Sequence, residues 1–207
     1  MAMNDDFKNA IVYGISQLDL VTYLTSIKVK ALVSETINSC TAFYPKAWSE
    51  IGPFSIPNLV PDASKTFDTF ILTLEVFNAF VFKYELCQQG LVTDQYNSFP
   101  NYADPVEIIL DDENDAKMHA HKLCQAFDAQ TSINSVTNIS NKPAQFDSAA
   151  RHCYALTNAL NIPNSFIGLS YFLLEDNADT SNRDVAIKFV ATTPEEFESL
   201  SELDPWT

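Results

Sequence analysis

Phe67 to Leu86 reads FDTFILTLEVFNAFVFKYEL and is the most apolar segment of the chain. Wound as a helix, it scatters Asp68, Glu75, Asn78, Lys83 and Glu85 around the whole barrel, which suits neither an amphipathic helix nor a membrane span. Laid out as strands it sorts itself. Leu72, Leu74 and Val76 alternate with Thr73 and Glu75, and beyond Asn78-Ala79 the residues Phe80, Phe82, Tyr84 and Leu86 alternate with Val81, Lys83 and Glu85. Aromatic and β-branched side chains fit a pleated, half-buried surface. The segment therefore predicts a β-hairpin, although Asn-Ala is a weaker turn than Asn-Gly.

Upstream, Asp5 to Tyr44 reads as two helices broken near Ile27 to Lys30. Phe7, Ile11, Ile15, Leu18 and Val21 or Thr22 mark the buried face of the first, and Leu32, Val33, Ile37, Cys40 and Phe43 or Tyr44 that of the second, with Pro45 closing it. Lys46 to Lys65, with Pro53, Pro57 and Pro61 between aromatic and aliphatic residues, reads as a packed extended loop.

Downstream, a polar loop follows Gly90, and a helix runs from Pro105 or Asp112 to Ala129. The polar stretch Thr131 to Lys142 has the composition of a mobile loop. Pro143 opens a further helix that Pro163 ends, with Cys153, Leu156 and Leu160 on its apolar side. Strands are expected over Phe166 to Leu174 and Val185 to Ala191, joined by a turn through Asp176, Asn177 and Asp179. Thr193-Pro194-Glu195-Glu196 then starts a short acidic helix to about Leu203, with a threonine cap, a first-turn proline and acids at the positive end of the dipole.

The composition argues against most enzymes and most nucleic-acid binders. The chain has 207 residues, 27 acids against 12 bases, four glycines, three histidines and a formal net charge of -15. Arg151 and Arg183 are its arginines. That charge repels phosphate backbones and anionic lipid at long range. A hydrophobic content of 46% is far above that of a disordered acidic chain, so one folded domain spanning residues 1–207 is expected. Cys40, Cys87, Cys124 and Cys153 are spaced too widely for a zinc or redox motif and read as buried free thiols. The first residues carry acids before any apolar run, so a soluble, cytoplasmic protein is expected.

Chemistry-bearing motifs are sparse. Asp115, His119, His121 and Cys124 have metal-ligand types, but their helical spacing divides them between faces, and no metal or other cofactor is expected. Asp111, Glu113 and Asp115 lack the glycine and glutamate of a calcium loop. There is no glycine-rich phosphate loop and no serine elbow. Arg151 is expected to pair with Asp147 four residues earlier. An enzymatic alternative would require a pocket gathering His119, His121 or His152 with a cysteine or carboxylate.

Several short segments resemble coat proteins of rod-shaped plant viruses of the tobamovirus and tobravirus type. These are Leu18 to Lys28, Trp48-Ser49-Glu50 followed by Pro61-Asp62, Phe146 to Arg151, and Phe197-Glu198-Ser199. The resemblance covers about half of the chain. It implies an antiparallel four-helix bundle assembling around RNA into a rod. It departs at Ser34-Glu35, where that family keeps an RNA-contacting arginine, and the hairpin reading of Phe67 to Leu86 contradicts the helix that the resemblance implies over that stretch.

The residue reading thus favours an α+β fold, with helices packed on two antiparallel hairpins, over the mainly-α bundle. It favours a non-enzymatic binder of a basic protein over a self-assembling subunit, with no DNA or membrane partner and RNA only for the coat-protein case. The partner-binding candidates are Asp104, Glu107, Asp111, Asp112, Glu113 and Asp115 in one acidic run and Glu195, Glu196, Glu198 and Glu202 in another.

Overall fold

The computed structural model describes residues 6–46, 58–77, 79–99, 113–141, 146–170, 174 and 189–191. The hairpin forms where its alternation places it, as β4 (Phe70–Phe77) and β5 (Val81–Gln88). Leu72, Leu74 and Val76 sit opposite Leu86, Tyr84 and Phe82. Ala79 in the turn takes a left-handed φ of 58°, and its carbonyl accepts from the Ala149 amide at 3.0 Å, tying the hairpin tip to a later helix.

Among the described residues the hairpin forms the second and third strands of a seven-stranded antiparallel sheet. Its order is β6 (Leu91–Asn97), β5, β4, β1 (Phe7–Tyr13), β3 (Cys40–Pro45), β2 (Ala31–Ser34) and β7 (Phe189–Ala191). The fold is α+β, and the sheet at its centre replaces the four-helix bundle implied by the coat-protein resemblance.

Both faces of this sheet are covered. On one side α1 (Gln17–Ser26) and α2 (Leu59–Thr66) enclose Ala10, Val12, Val33, Phe43 and Ile71. On the other, α3 (Glu113–Ala126), α4 (Ile133–Asn141) and α5 (Ala149–Ala159) enclose Ile11, Tyr44, Leu72, Leu74, Phe82 and Leu86.

Double coverage explains the largest departure from expectation. Asp5 to Tyr44 is not two helices but β1, α1, β2 and β3, with only the α1 portion helical. A strand buried on both sides loses its polar alternation, and all six residues of β3 are buried. In β1 the four-residue interval from Phe7 to Ile11 satisfies a strand as well as a helix, since it is also an even number of steps. Ser16 caps α1 by accepting from the Asp19 amide at 3.2 Å.

Other expectations are corrected similarly. Within the expected packed loop, residues 59–66 form α2. The polar loop after Gly90 is strand β6. The expected mobile loop from Thr131 to Lys142 holds a 3-10 turn and α4, because Val136, Thr137 and Ser140 recur at helical spacing and are buried. Thr137 settles its own hydroxyl on the Ile133 carbonyl at 2.8 Å. Phe166 closes a 3-10 turn rather than opening a strand, and β7, the described end of the expected strand Val185 to Ala191, pairs with β2. The Phe166 carbonyl accepts from Asn9 at 2.6 Å and from Tyr44 at 2.9 Å, so two buried polar side chains pin the turn to the sheet. The helix expected after Thr193 lies outside the described residues.

Candidate functional site

Strand β6 carries the one carboxylate that is completely buried among the described residues. Asp94 lies opposite Leu86 on the face covered by α3, next to a register shift that leaves Thr93 unpaired. Its side chain has no exposure. Tyr84 donates to Asp94 Oδ2 at 3.1 Å, His119 Nδ1 contacts Oδ1, and Lys122 Nζ lies 3.7 Å from Oδ1. Lys122 also donates to the Thr93 carbonyl at 2.9 Å. His119 and Lys122 are three residues apart on α3 and so reach the same strand. The Tyr84 hydroxyl is pushed well above its ordinary range, by burial first and then by the Asp94 charge.

A carboxylate holding an imidazole is the orienting half of an acid–base site. The other half needs a nucleophile and a route for substrate. His119 is only 8% exposed, and among the described residues no hydroxyl or thiol hydrogen-bonds to it. The cluster instead fastens α3 to the sheet.

The remaining chemical candidates do not come together in one site. His121 is exposed, Cys124 is buried in the core and Asp115 is half-buried, so His119 and its three companions do not converge. Among the described residues no group of three or more histidine, cysteine or acidic side chains could hold a metal ion. His152 is boxed by Phe82, Tyr96 and Phe146 at ring-centre distances of 5.0, 5.5 and 4.6 Å. Burial drives its imidazole down to about 4, against a backbone hydrogen bond at Ile139 that works the other way.

All four cysteines are buried and free. Burial pushes Cys87 and Cys124 up to about 11, Cys40 to about 12 and Cys153 higher still, so these thiols are protonated and poor nucleophiles. Arg151 does pair with Asp147, at 2.8 Å on the surface.

Of the acidic partner-binding candidates, Asp115 is half-buried on α3 and Glu113 starts that helix. Asp104, Glu107, Asp111, Asp112, Glu195, Glu196, Glu198 and Glu202 lie outside the described residues. Sequence reasoning missed Asp94 because it missed the strand. Once β6 is recognised, Asp94 shares the parity of inward-facing Tyr96, and a carboxylate there requires a partner.

No helix among the described residues is long and apolar enough to cross a membrane. Comparison with protein-family models, curated proteins and solved structures found no match to this chain.

Proposed function

We propose that this chain is a non-enzymatic protein-binding protein that uses acidic segments to occupy a basic protein partner, in the manner of an inhibitor, immunity, anti-defence or chaperone protein. The observation that carries the reading is the distribution of charge. The described residues hold twelve acids and nine bases, close to balance, whereas the remainder holds fifteen acids and three bases. Segments 100–112 and 175–207 of the sequence hold thirteen of the 27 acids and two of the 12 bases, so the negative charge is concentrated there. Opposite charge on a partner accelerates encounter and fixes its orientation. The burial of His119 and His152 and the protonated thiols among the described residues support the same reading.

The test is affinity capture with the full-length protein and two charge-reversal variants, D111K/D112K/E113K and E195K/E196K/E198K, at low and high salt. A basic protein held by the wild type, released by salt and lost on at least one reversal is the expected result. Retention of every captured partner by both variants and at high salt would remove the electrostatic basis of the proposal.

A further inference from the structure

On α1, Asp19 and Tyr23 are four residues apart and share a face, as do Thr22 and Ser26 beside them. Thr66 ends α2 and Phe67 follows it directly, and the Phe67 ring meets Tyr23 edge to face at 5.2 Å between ring centres. Where α1 meets this end of α2 lies an open cleft of about 390 Å³, lined by these six residues and Ile15. Ligand sites commonly occupy roughly 300–1,000 Å³.

The polar atoms of the cleft are biased toward acceptors. Thr22 Oγ1 donates to the Leu18 carbonyl at 2.8 Å and Ser26 Oγ to the Tyr23 carbonyl at 2.7 Å. Each hydroxyl proton is thereby committed to the helix backbone, and only oxygen lone pairs remain to offer a ligand. Asp19 takes the Ser16 hydroxyl on Oδ2 at 2.6 Å and is otherwise exposed, so its carboxylate adds charged acceptor capacity. A second carboxylate acts from α2. Burial raises the Tyr23 hydroxyl above its ordinary value against a hydrogen bond from Thr66, and the Asp62 charge raises it further, so the field of Asp62 reaches the cleft. No base lines it. Lys65 of α2 lays its stem on the Gly90 turn instead, with Cβ and Cδ 3.7 Å from where a side chain at Gly90 would begin.

An anion is repelled by such a cleft, and a sugar needs donors that these hydroxyls no longer supply. A guanidinium is the complement, because it is always charged, carries five N–H donors and no acceptor, and stacks on aromatic faces. The open mouth suits a side chain delivered from a protein surface. Leu18 and Ile27, exposed at 74% and 41% towards the two ends of α1, give that surface an apolar rim to bury.

We infer that the cleft between α1 and Phe67 seats an arginine side chain of a basic protein partner, with Asp19 and Asp62 supplying the charge and Tyr23 and Phe67 the stacking faces. The inference rests on the binding function proposed above and adds to it a site on the folded body. The acid-rich segments draw the partner in, and the cleft fixes its register.

The experiment is an amide NMR titration of the full chain at about 0.02 M salt with three blocked peptides: tetra-arginine, tetra-lysine and the neutral isostere tetra-citrulline. Tetra-arginine is expected to give saturable shifts at Tyr23, Ser26 and Phe67, and tetra-citrulline none. D19N/D62N should weaken the arginine peptide at these amides about fivefold. F67L should weaken it about threefold while leaving tetra-lysine nearly unchanged. Shifts confined to residues 100–112 and 175–207, equal affinity in D19N/D62N, or equal binding of tetra-citrulline would overturn the inference. Should F67L fail to fold, D19N/D62N carries the test alone, because both carboxylates are exposed. A basic partner captured as proposed above and held equally by D19N/D62N and F67L would sink the cleft and leave the binding function standing. Seated tetra-arginine with no basic protein captured would sink that function and leave the cleft as an arginine site.

Discussion

At the scale of single residues, the buried polar groups determine where the molecule is vulnerable. His152 is neutral in its aromatic box, whereas the unfolded chain binds a proton there near the ordinary value of about 6.5. The folded value of about 4 is depressed, so the stabilisation is complete above pH 6.5 and is lost as pH falls toward 4, below which it stays flat. The full loss is about 3 kcal/mol. Urea denaturation at pH 7 and pH 4.5 should show most of it, and H152F should show a shallower decline. An unchanged decline in H152F would assign the acid sensitivity elsewhere. Asp94 is vulnerable in another way. D94A leaves the Tyr84 hydroxyl and His119 without their buried acceptor and is expected to cost about 3 kcal/mol. A cost under about 1 kcal/mol would mean that the cluster does not hold α3 to the sheet.

Among the elements, the β4–β5 hairpin organises the rest, and its turn is its weakest part. Ala79 sits at a φ of 58°, a conformation that costs an L-residue roughly 1–2 kcal/mol relative to glycine. Part of that gain is returned as the greater backbone entropy of unfolded glycine, so A79G is expected to raise stability by about 0.5–1 kcal/mol in thermal or urea unfolding. A loss instead would show that the Ala79 methyl contributes more packing than its backbone costs. Tyr44 joins two elements far apart in sequence, since its hydroxyl holds the Phe166 carbonyl from strand β3. Y44F keeps the ring in place and should cost about 1 kcal/mol, and comparable loss on both sides of a Y44F/N9A double-mutant cycle would measure how far the two donors share that acceptor. Additivity within about 0.3 kcal/mol would show that they act separately.

For the whole molecule, the fold and the charge pull in different directions. Among the described residues five helices cover both faces of the sheet, while a formal charge of -15 repels like chains at long range. Light scattering across pH 5 to 8 is therefore expected to return the single-chain mass of 23.1 kDa throughout. Large assemblies that come and go with pH would instead favour the self-assembling subunit, through carboxylates that must take up protons before subunits pack.

Composition and local pattern by themselves determined the α+β class, the β4–β5 hairpin, the positions of α3 and α5, the burial of the cysteines and the Arg151–Asp147 pair. Each depends on neighbours in sequence or on side-chain types alone. Beyond their reach lay β1, β2, β3 and β6, the helix over Ile133–Asn141 and the contact between Asp94 and His119. A strand covered on both faces does not alternate, a helix rich in Ser, Thr and Asn is stabilised by the face it buries rather than by propensity, and a contact between residues 94 and 119 exists only once a sheet edge and a helix are brought together. Those features belong to tertiary structure because their stabilising contacts come from distant parts of the chain.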